Sequence, residues 1–408
     1  MLQCPQGCTS LLQSEYAEQL FRPDALYQGL ARYHRWLPGL PEAIEAGEPA
    51  ILPGGALGHE LGIERLWLAL SGDAPQHGAT LTAGSFKALE AGAVLARLAE
   101  AEGAPILTLA SAGNTAVAFA EACSTQRRAC VIVIPERVQR EMRLATPVAP
   151  WVVIVTLRDA SYDDAIGYAQ RIAEQPGFVL EGGVRNIARR DGLGSVLLFA
   201  TERIGRIPDL YVQAVGSGAG ALGALTMAER LRTDGRFGTH RLRLALVQNA
   251  PFMPLVRSWQ AQSPTLITDP PSEARAHVAA IAAQVLSNMA PPYAITGGVY
   301  DALRTSNGVM CAVDNDAIAA ASARLQQHLN IIPDPAAAAA LAGLKSLLAS
   351  GSVSPDTEIL LHLTGATPVS AMREHHFPTT IAAMPGEEAA PFAERIVEIR
   401  RHLEQALR

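Results

Sequence analysis

The sequence has no long run of lysine and arginine, no apolar window long enough to span a bilayer, and only five cysteines. Each shortage excludes a class of function. Binding nucleic acid without sequence preference requires clustered basic side chains that displace phosphate counterions. A chain of formal charge -6 without such clusters does not have that footprint. A membrane-spanning helix needs about 20 consecutive apolar residues, which no segment supplies. The opening MLQCPQGCTSLLQ lacks the basic start and continuous apolar stretch of a secretory leader, so the cytoplasm is the expected compartment. The cysteines (Cys4, Cys8, Cys123, Cys130 and Cys311) are scattered and odd in number, a poor disulfide framework, and reduced thiols are expected. Cys4 and Cys8 resemble half of a metal knuckle, but no second Cys or His pair follows nearby, so no metal is expected.

The 408 residues, 49% of them hydrophobic, can bury a large core divided into about two or three domains. Such a composition points to chemistry on small molecules, with neither nucleic acid nor membrane as partner. From about Gly84 onward, helical patterns alternate with short apolar runs bounded by turn residues, which predicts an α/β protein with a largely parallel sheet. SFKALEAGAVLARLAEAEG reads as a helix, PILTLA as a buried strand, NTAVAFAEACSTQ as a helix and ACVIVIPE as the next strand. A second series begins near Asp209, where DLYVQAVG runs into the glycine-rich GSGAGALG, the helix ALTMAERLR and the strand RLRLALVQ. TEILLHLTGATP resembles a late sheet strand ending in a polar loop, and the tail from about Glu387 reads as an amphipathic helix. The irregular first eighty residues suggest an arm.

Four places in this pattern could carry chemistry. Lys87 follows a Gly-Ser turn at the start of a helix, flanked by Phe86 and Ala88, where desolvation would lower its pKa and make its amine a nucleophile; a solvated first-turn lysine is the plainer reading. Ser111, Ala112, Gly113, Asn114 and Thr115 lie between a buried strand and a helix N-terminus, where free N–H groups and short polar side chains suit a carboxylate, although the same residues serve as ordinary caps. Gly216, Ser217, Gly218, Ala219 and Gly220 follow a strand and open a helix, so their backbone can approach a phosphate. The alternative there is a dinucleotide site, which calls for an acidic residue at the end of the next strand. That strand ends in Gln248 and Asn249 instead. Thr364 closes an apolar strand before a glycine, a place for a hydroxyl aimed into a cleft. His362, on the same strand face, reads as a hydrogen-bonded core residue, and the run Arg185, Arg189 and Arg190 as a solvated face.

In that order the four features resemble the fold-type-II pyridoxal-phosphate (PLP) enzymes, the group of threonine synthase and cysteine synthase. The local text is most similar to the cysteate synthases, through RYHRWLP, SFKALEA, SAGNTAVAFAEA, VIVIPE and SYDDAI. The resemblance implies two open, twisted, mostly parallel sheets with helices on both faces. It implies that Lys87 carries PLP as a Schiff base, Asn114 contacts the cofactor's 3-hydroxyl, Gly216 to Gly220 hold its phosphate and Thr364 meets its ring nitrogen. Ser111, Ala112, Gly113 and Thr115 would bind the substrate carboxylate. The implied reaction is β-replacement on O-phospho-L-serine by sulfite, giving L-cysteate; a threonine synthase acting on O-phosphohomoserine, another nucleophile, or an inactive PLP-fold binding protein are the rival readings. The expected layout is an arm at 1–50, a larger PLP-binding domain at 51–97 and 191–385, a smaller mobile domain at 98–190 and a C-terminal helix at 386–408. A homodimer is the expected assembly.

Overall fold

The computed structural model describes residues 4–111, 113–142, 144, 146–368 and 377–406. The segments Ile106–Ala110, Cys130–Pro135 and Val152–Leu157 are almost wholly apolar and buried along their length. A strand buried on both faces shows such a continuous run rather than alternation. They form the middle of a five-stranded parallel sheet ordered Thr379–Ala383, Val152–Leu157, Cys130–Pro135, Ile106–Ala110, Phe178–Leu180. A six-stranded sheet runs Ala50–Pro53, Leu66–Leu70, Ile359–Leu363, Leu210–Ala214, Arg243–Asn249, Val309–Val313. Only its first pair is antiparallel. The architecture is therefore the expected α/β one, with two separate sheets.

Two boundaries differ from the expected layout. Residues up to 385 were assigned to the larger unit, yet Thr379–Ala383 pairs in parallel with Val152–Leu157 and so extends the smaller sheet. Its burial alternates, which suits a strand at a sheet edge with one wet face. The tail helix Ala390–Ala406 follows it there, setting Ala393 and Ile396 into the cluster around Tyr168. The N-terminal region, read as an arm, also packs into the main core. Leu11, Phe21, Leu30, Tyr33 and Trp36 are buried in the same cluster as Leu197 and Leu222. Phe21 lies 5.6 Å from Tyr33 and 5.3 Å from Trp36 between ring centres, and Tyr33 meets Phe199 edge-on at 4.6 Å.

The helix Ile187–Ile204 is buried along most of its length and packs against two helices that matter for the site. A Cβ on Gly192 would lie 2.4 Å from the carbonyl oxygen of Leu89, in the helix Lys87–Ala99. A Cβ on Gly194 would lie 2.4 Å from the carbonyl of Gly223, in the helix Ala219–Asp234, and one on Gly223 would lie 2.1 Å from the carbonyl of Arg190. These helices meet backbone to backbone, and no side chain fits between them. Gly223→Ala should therefore overpack the crossing and destabilise the protein by about 1–3 kcal/mol. Urea unfolding measures this, and an unchanged midpoint would contradict the close approach.

Candidate active site

Lys87 opens its helix three residues after the left-handed turn at Gly84, φ +70°. The turn is tied to the end of strand Ile359–Leu363. Ser85 bridges Gly365, and the Phe86 N–H donates to the Thr364 carbonyl at 3.0 Å. The Lys87 amine donates to Glu90 Oε2 at 2.8 Å. Glu90 is fully buried, and its Oε1 accepts from Arg189 Nε at 2.5 Å. Arg189 also pairs with Glu181 at 3.4 Å and reaches Thr115 Oγ1 at 3.4 Å. Two partly exposed cations thus lie against two buried carboxylates, and buried carboxylates of this kind are sustained by partners of opposite charge.

Burial lowers the proton affinity of the Lys87 amine, although Glu90 beside it works the other way. Burial likewise opposes the charge on Glu90, yet Arg189 and Lys87 together hold its carboxyl below the usual range. Glu181 goes the opposite way, pushed up to about 6 by burial against the pull of Arg189.

The loop after strand Ile106–Ala110 supplies Ser111, Gly113, Asn114 and Thr115; Ala112 lies outside the described residues. Ser111 Oγ accepts from the Gly113 N–H at 3.4 Å. Both Ser111 and Thr115 are buried, and Asn114 is the first residue of its helix. Asn114 Nδ2 donates to Asp334 Oδ2 at 2.9 Å. Asp334 in turn caps the helix Pro335–Ala349 and donates its own N–H to the Gly365 carbonyl at 2.9 Å. Asn114 is thereby tied to the residue after Thr364, across the two sheets.

Gly216 and Ser217 are partly exposed, whereas Gly218, Ala219 and Gly220 are buried at the mouth of the helix Ala219–Asp234. A Cβ on Gly220 would come 2.8 Å from both Gln213 Nε2 and the Phe86 ring, and one on Gly218, at φ +77°, would come 2.7 Å from Val299. One on Gly216 would come 3.2 Å from Leu286 Cα. The backbone is thus held close on all sides, the Ala219 N–H donates to Ser217 Oγ at 3.4 Å, and the first turn of a helix is a place where backbone N–H groups suit an anion. A glycine cradle at a helix N-terminus, with a desolvated lysine beside Phe86, fits a phosphate-bearing aldehyde cofactor such as PLP.

Thr364 is buried at the end of its strand. His362 below it accepts from Ser71 Oγ at 2.9 Å through Nε2 and donates through Nδ1 to Tyr211 at 2.6 Å, when the tyrosine hydroxyl donates on to Gln213 Oε1 at 3.1 Å. Burial drives the imidazole pKa down to about 3, so it stays neutral, as the core reading expected.

The sequence does not single out Glu90 or Glu181, and its reading of Arg185, Arg189 and Arg190 as a solvated face fails for the last two, since Arg190 is buried and Arg189 nearly so. Arg189 stood in an apparent basic run, but the run divides. Arg190 instead donates to the Leu12 carbonyl, while Arg189 turns into the site. Only Glu90, three residues after Lys87 and on the same helix face, left a readable signal.

Because the folded-state pKa of Glu181 lies above its usual 4.5, the folded protein holds that proton more tightly than the unfolded chain. Its contribution to stability is full below the usual value and lost as pH rises through about 6. The stability difference between wild type and Glu181→Gln should therefore shift in favour of the variant between pH 4.5 and pH 7, as read by thermal unfolding at each pH. A difference that stays constant across that window would rule out the raised carboxyl.

Residues 56–365 match the family described as "Pyridoxal-phosphate dependent enzyme". The cysteate synthase of Methanoregula boonei is 43% identical over 366 residues, covering 89% of this chain and 85% of that protein. The cysteate synthase of Methanospirillum hungatei is 40% identical over 365 residues, with coverages of 89% and 85%. Among solved structures, maize serine racemase superposes with a TM-score of 0.58 at 18% identity, over 79% of this chain and 90% of that one. The L-serine ammonia-lyase of Rhizomucor miehei gives 0.60 at 15%, over 80% and 95%. These two likenesses establish the fold alone. On the family match and on relatives at this level of identity, the chain belongs to the pyridoxal-phosphate dependent enzymes, in the group of the cysteate synthases.

Proposed function

We propose that this protein makes L-cysteate and phosphate from O-phospho-L-serine and sulfite, with PLP held on Lys87. The observation that carries this reading is the 43% identity to a cysteate synthase across 366 residues. When bound, PLP draws electrons away from the amino acid's α-carbon, so that its proton and the β-substituent can leave. Every other part is supplied by the chain. Lys87, freed by the incoming amino group, takes the α-proton and later returns it. The N–H groups at Gly218 to Gly220 and the dipole of the helix they open hold the cofactor phosphate. One amide hydrogen of Asn114 is committed to Asp334. The other hydrogen and the amide oxygen are left for the cofactor's 3-hydroxyl. Thr364 offers its hydroxyl to the ring nitrogen, and Ser111, Gly113 and Thr115, with Ala112 between them in sequence, receive the substrate carboxylate. In the net reaction the β-carbon–oxygen bond breaks, phosphate departs with the electron pair, and sulfite sulfur forms the new bond.

The same reading holds that the unit built on the smaller sheet, 98–190 joined by Thr379–Ala383, closes over the larger one to exclude water during turnover. It also holds that the 43.1 kDa chain works as a homodimer. No helix among the described residues is long and apolar enough to cross a membrane.

The chain has only two lysines, Lys87 and Lys345, which makes the central claim simple to test. Holoenzyme reduced with borohydride and digested should carry the cofactor mass on the Lys87 peptide, with Lys345 as the unmodified internal control. Adding O-phosphoserine should change the cofactor absorbance, and adding sulfite should restore it with one L-cysteate and one phosphate formed. A spectrum that answers only to O-phosphohomoserine would transfer the assignment to threonine synthesis, and labelling absent from Lys87 would overturn the site.

A further inference from the structure

The amine of Lys87 is held by a side chain that none of the four sequence features includes. We propose that Glu90 is a positioning residue that anchors the Lys87 amine in the site and, with Arg189 as its counter-charge, sets how tightly that amine holds its proton. The inference rests on the reading that Lys87 carries the cofactor.

The geometry is specific. Each Glu90 oxygen has a separate cationic partner, Lys87 Nζ on Oε2 at 2.8 Å and Arg189 Nε on Oε1 at 2.5 Å. Glu90 is fully buried, and a buried carboxylate is sustained only by partners that repay its lost hydration. One turn of helix separates it from Lys87, so the acid moves with the lysine backbone and stays within reach of the amine. Other ionisable groups face the pair from every side. Arg189 enters from the helix Ile187–Ile204, Glu181 from the turn after Phe178–Leu180, and Tyr162 from the helix Tyr162–Ala173. Burial has the largest effect and lowers the proton affinity of Lys87; Glu90 opposes it, and Arg189 adds to it. The two neighbours are therefore opposed, and their removal should move the lysine in opposite directions. A residue that merely packs the helix would produce no such opposition.

Arg189 also reaches Thr115 in the loop expected to receive the substrate carboxylate. A change of charge at the amine is thereby felt at the substrate loop through one guanidinium. During turnover Lys87 must first let go of the cofactor and then hold and return a proton. An anchored carboxylate beside it keeps the freed amine from swinging away and stabilises its charged form.

The test uses holoenzyme and follows the pH titration of the lysine-linked cofactor absorbance, which does not depend on turnover. Glu90→Gln should lower the midpoint by about one pH unit or more, a tenfold weaker hold on the proton. Arg189→Gln should raise it, and Glu90→Asp, which keeps the charge, should bring it back toward wild type. If Glu90→Gln does not fold, the upward shift in Arg189→Gln and the intermediate value in Glu90→Asp still decide the matter. Midpoints within a few tenths of a unit of wild type in the variants that fold, or shifts of the same sign for both neutralised residues, would overturn the proposal. A wild-type protein with no lysine-linked band would instead sink the reading of Lys87 on which it rests.

Discussion

The site depends on how closely three helices can approach one another. Gly192 and Gly194 in the helix Ile187–Ile204 let the lysine helix and the glycine-loop helix lie against it with no side chain between. Even one methyl group at these crossings would meet a carbonyl oxygen. Because cores are packed to crystal-like density, such a contact cannot be absorbed by a small local shift. The spacing between the lysine helix and the helix that follows Gly216 to Gly218 is therefore set by backbone contact. The first turn of the same helix carries Arg189 into the buried charge cluster.

That charge cluster is balanced but not uniform. Glu90 is held ionised by two cations, while Glu181, with one guanidinium and the N–H of Gly183 as partners, has its carboxyl pushed up to about 6. The pair of acids around one arginine thus separates into a permanent counter-ion and a group able to take a proton. Enzymes commonly reach differing acid and base roles at neutral pH by placing like groups in unlike surroundings.

Much of this was legible in the sequence, and the parts that were not share a cause. The alternation of buried runs, turns and helices marked the strands Ile106–Ala110, Leu210–Ala214 and Ile359–Leu363, and the loops after them follow from that order. Lys87 stands out less by its apolar neighbours Phe86 and Ala88 than by its place at the head of four features in a fixed order. Arg189 does not stand out, because adjacent residues on a helix point about 100° apart. A run of three arginines therefore says nothing about which one faces inward. Glu181 meets Arg189 only after the chain turns at Gly182 and Gly183, both with positive φ. Thr379–Ala383 was misplaced because a short strand with alternating burial carries no sign of which sheet it joins.

The return of Thr379–Ala383 to the smaller sheet has a mechanical consequence. In chain order the described strands of the five- and six-stranded sheets change sheet three times, at Ile106–Ala110, at Leu210–Ala214 and at Thr379–Ala383. A pull on the chain just after Ala383 therefore loads the edge of the smaller sheet directly, through the ladder that Thr379–Ala383 makes with Val152–Leu157.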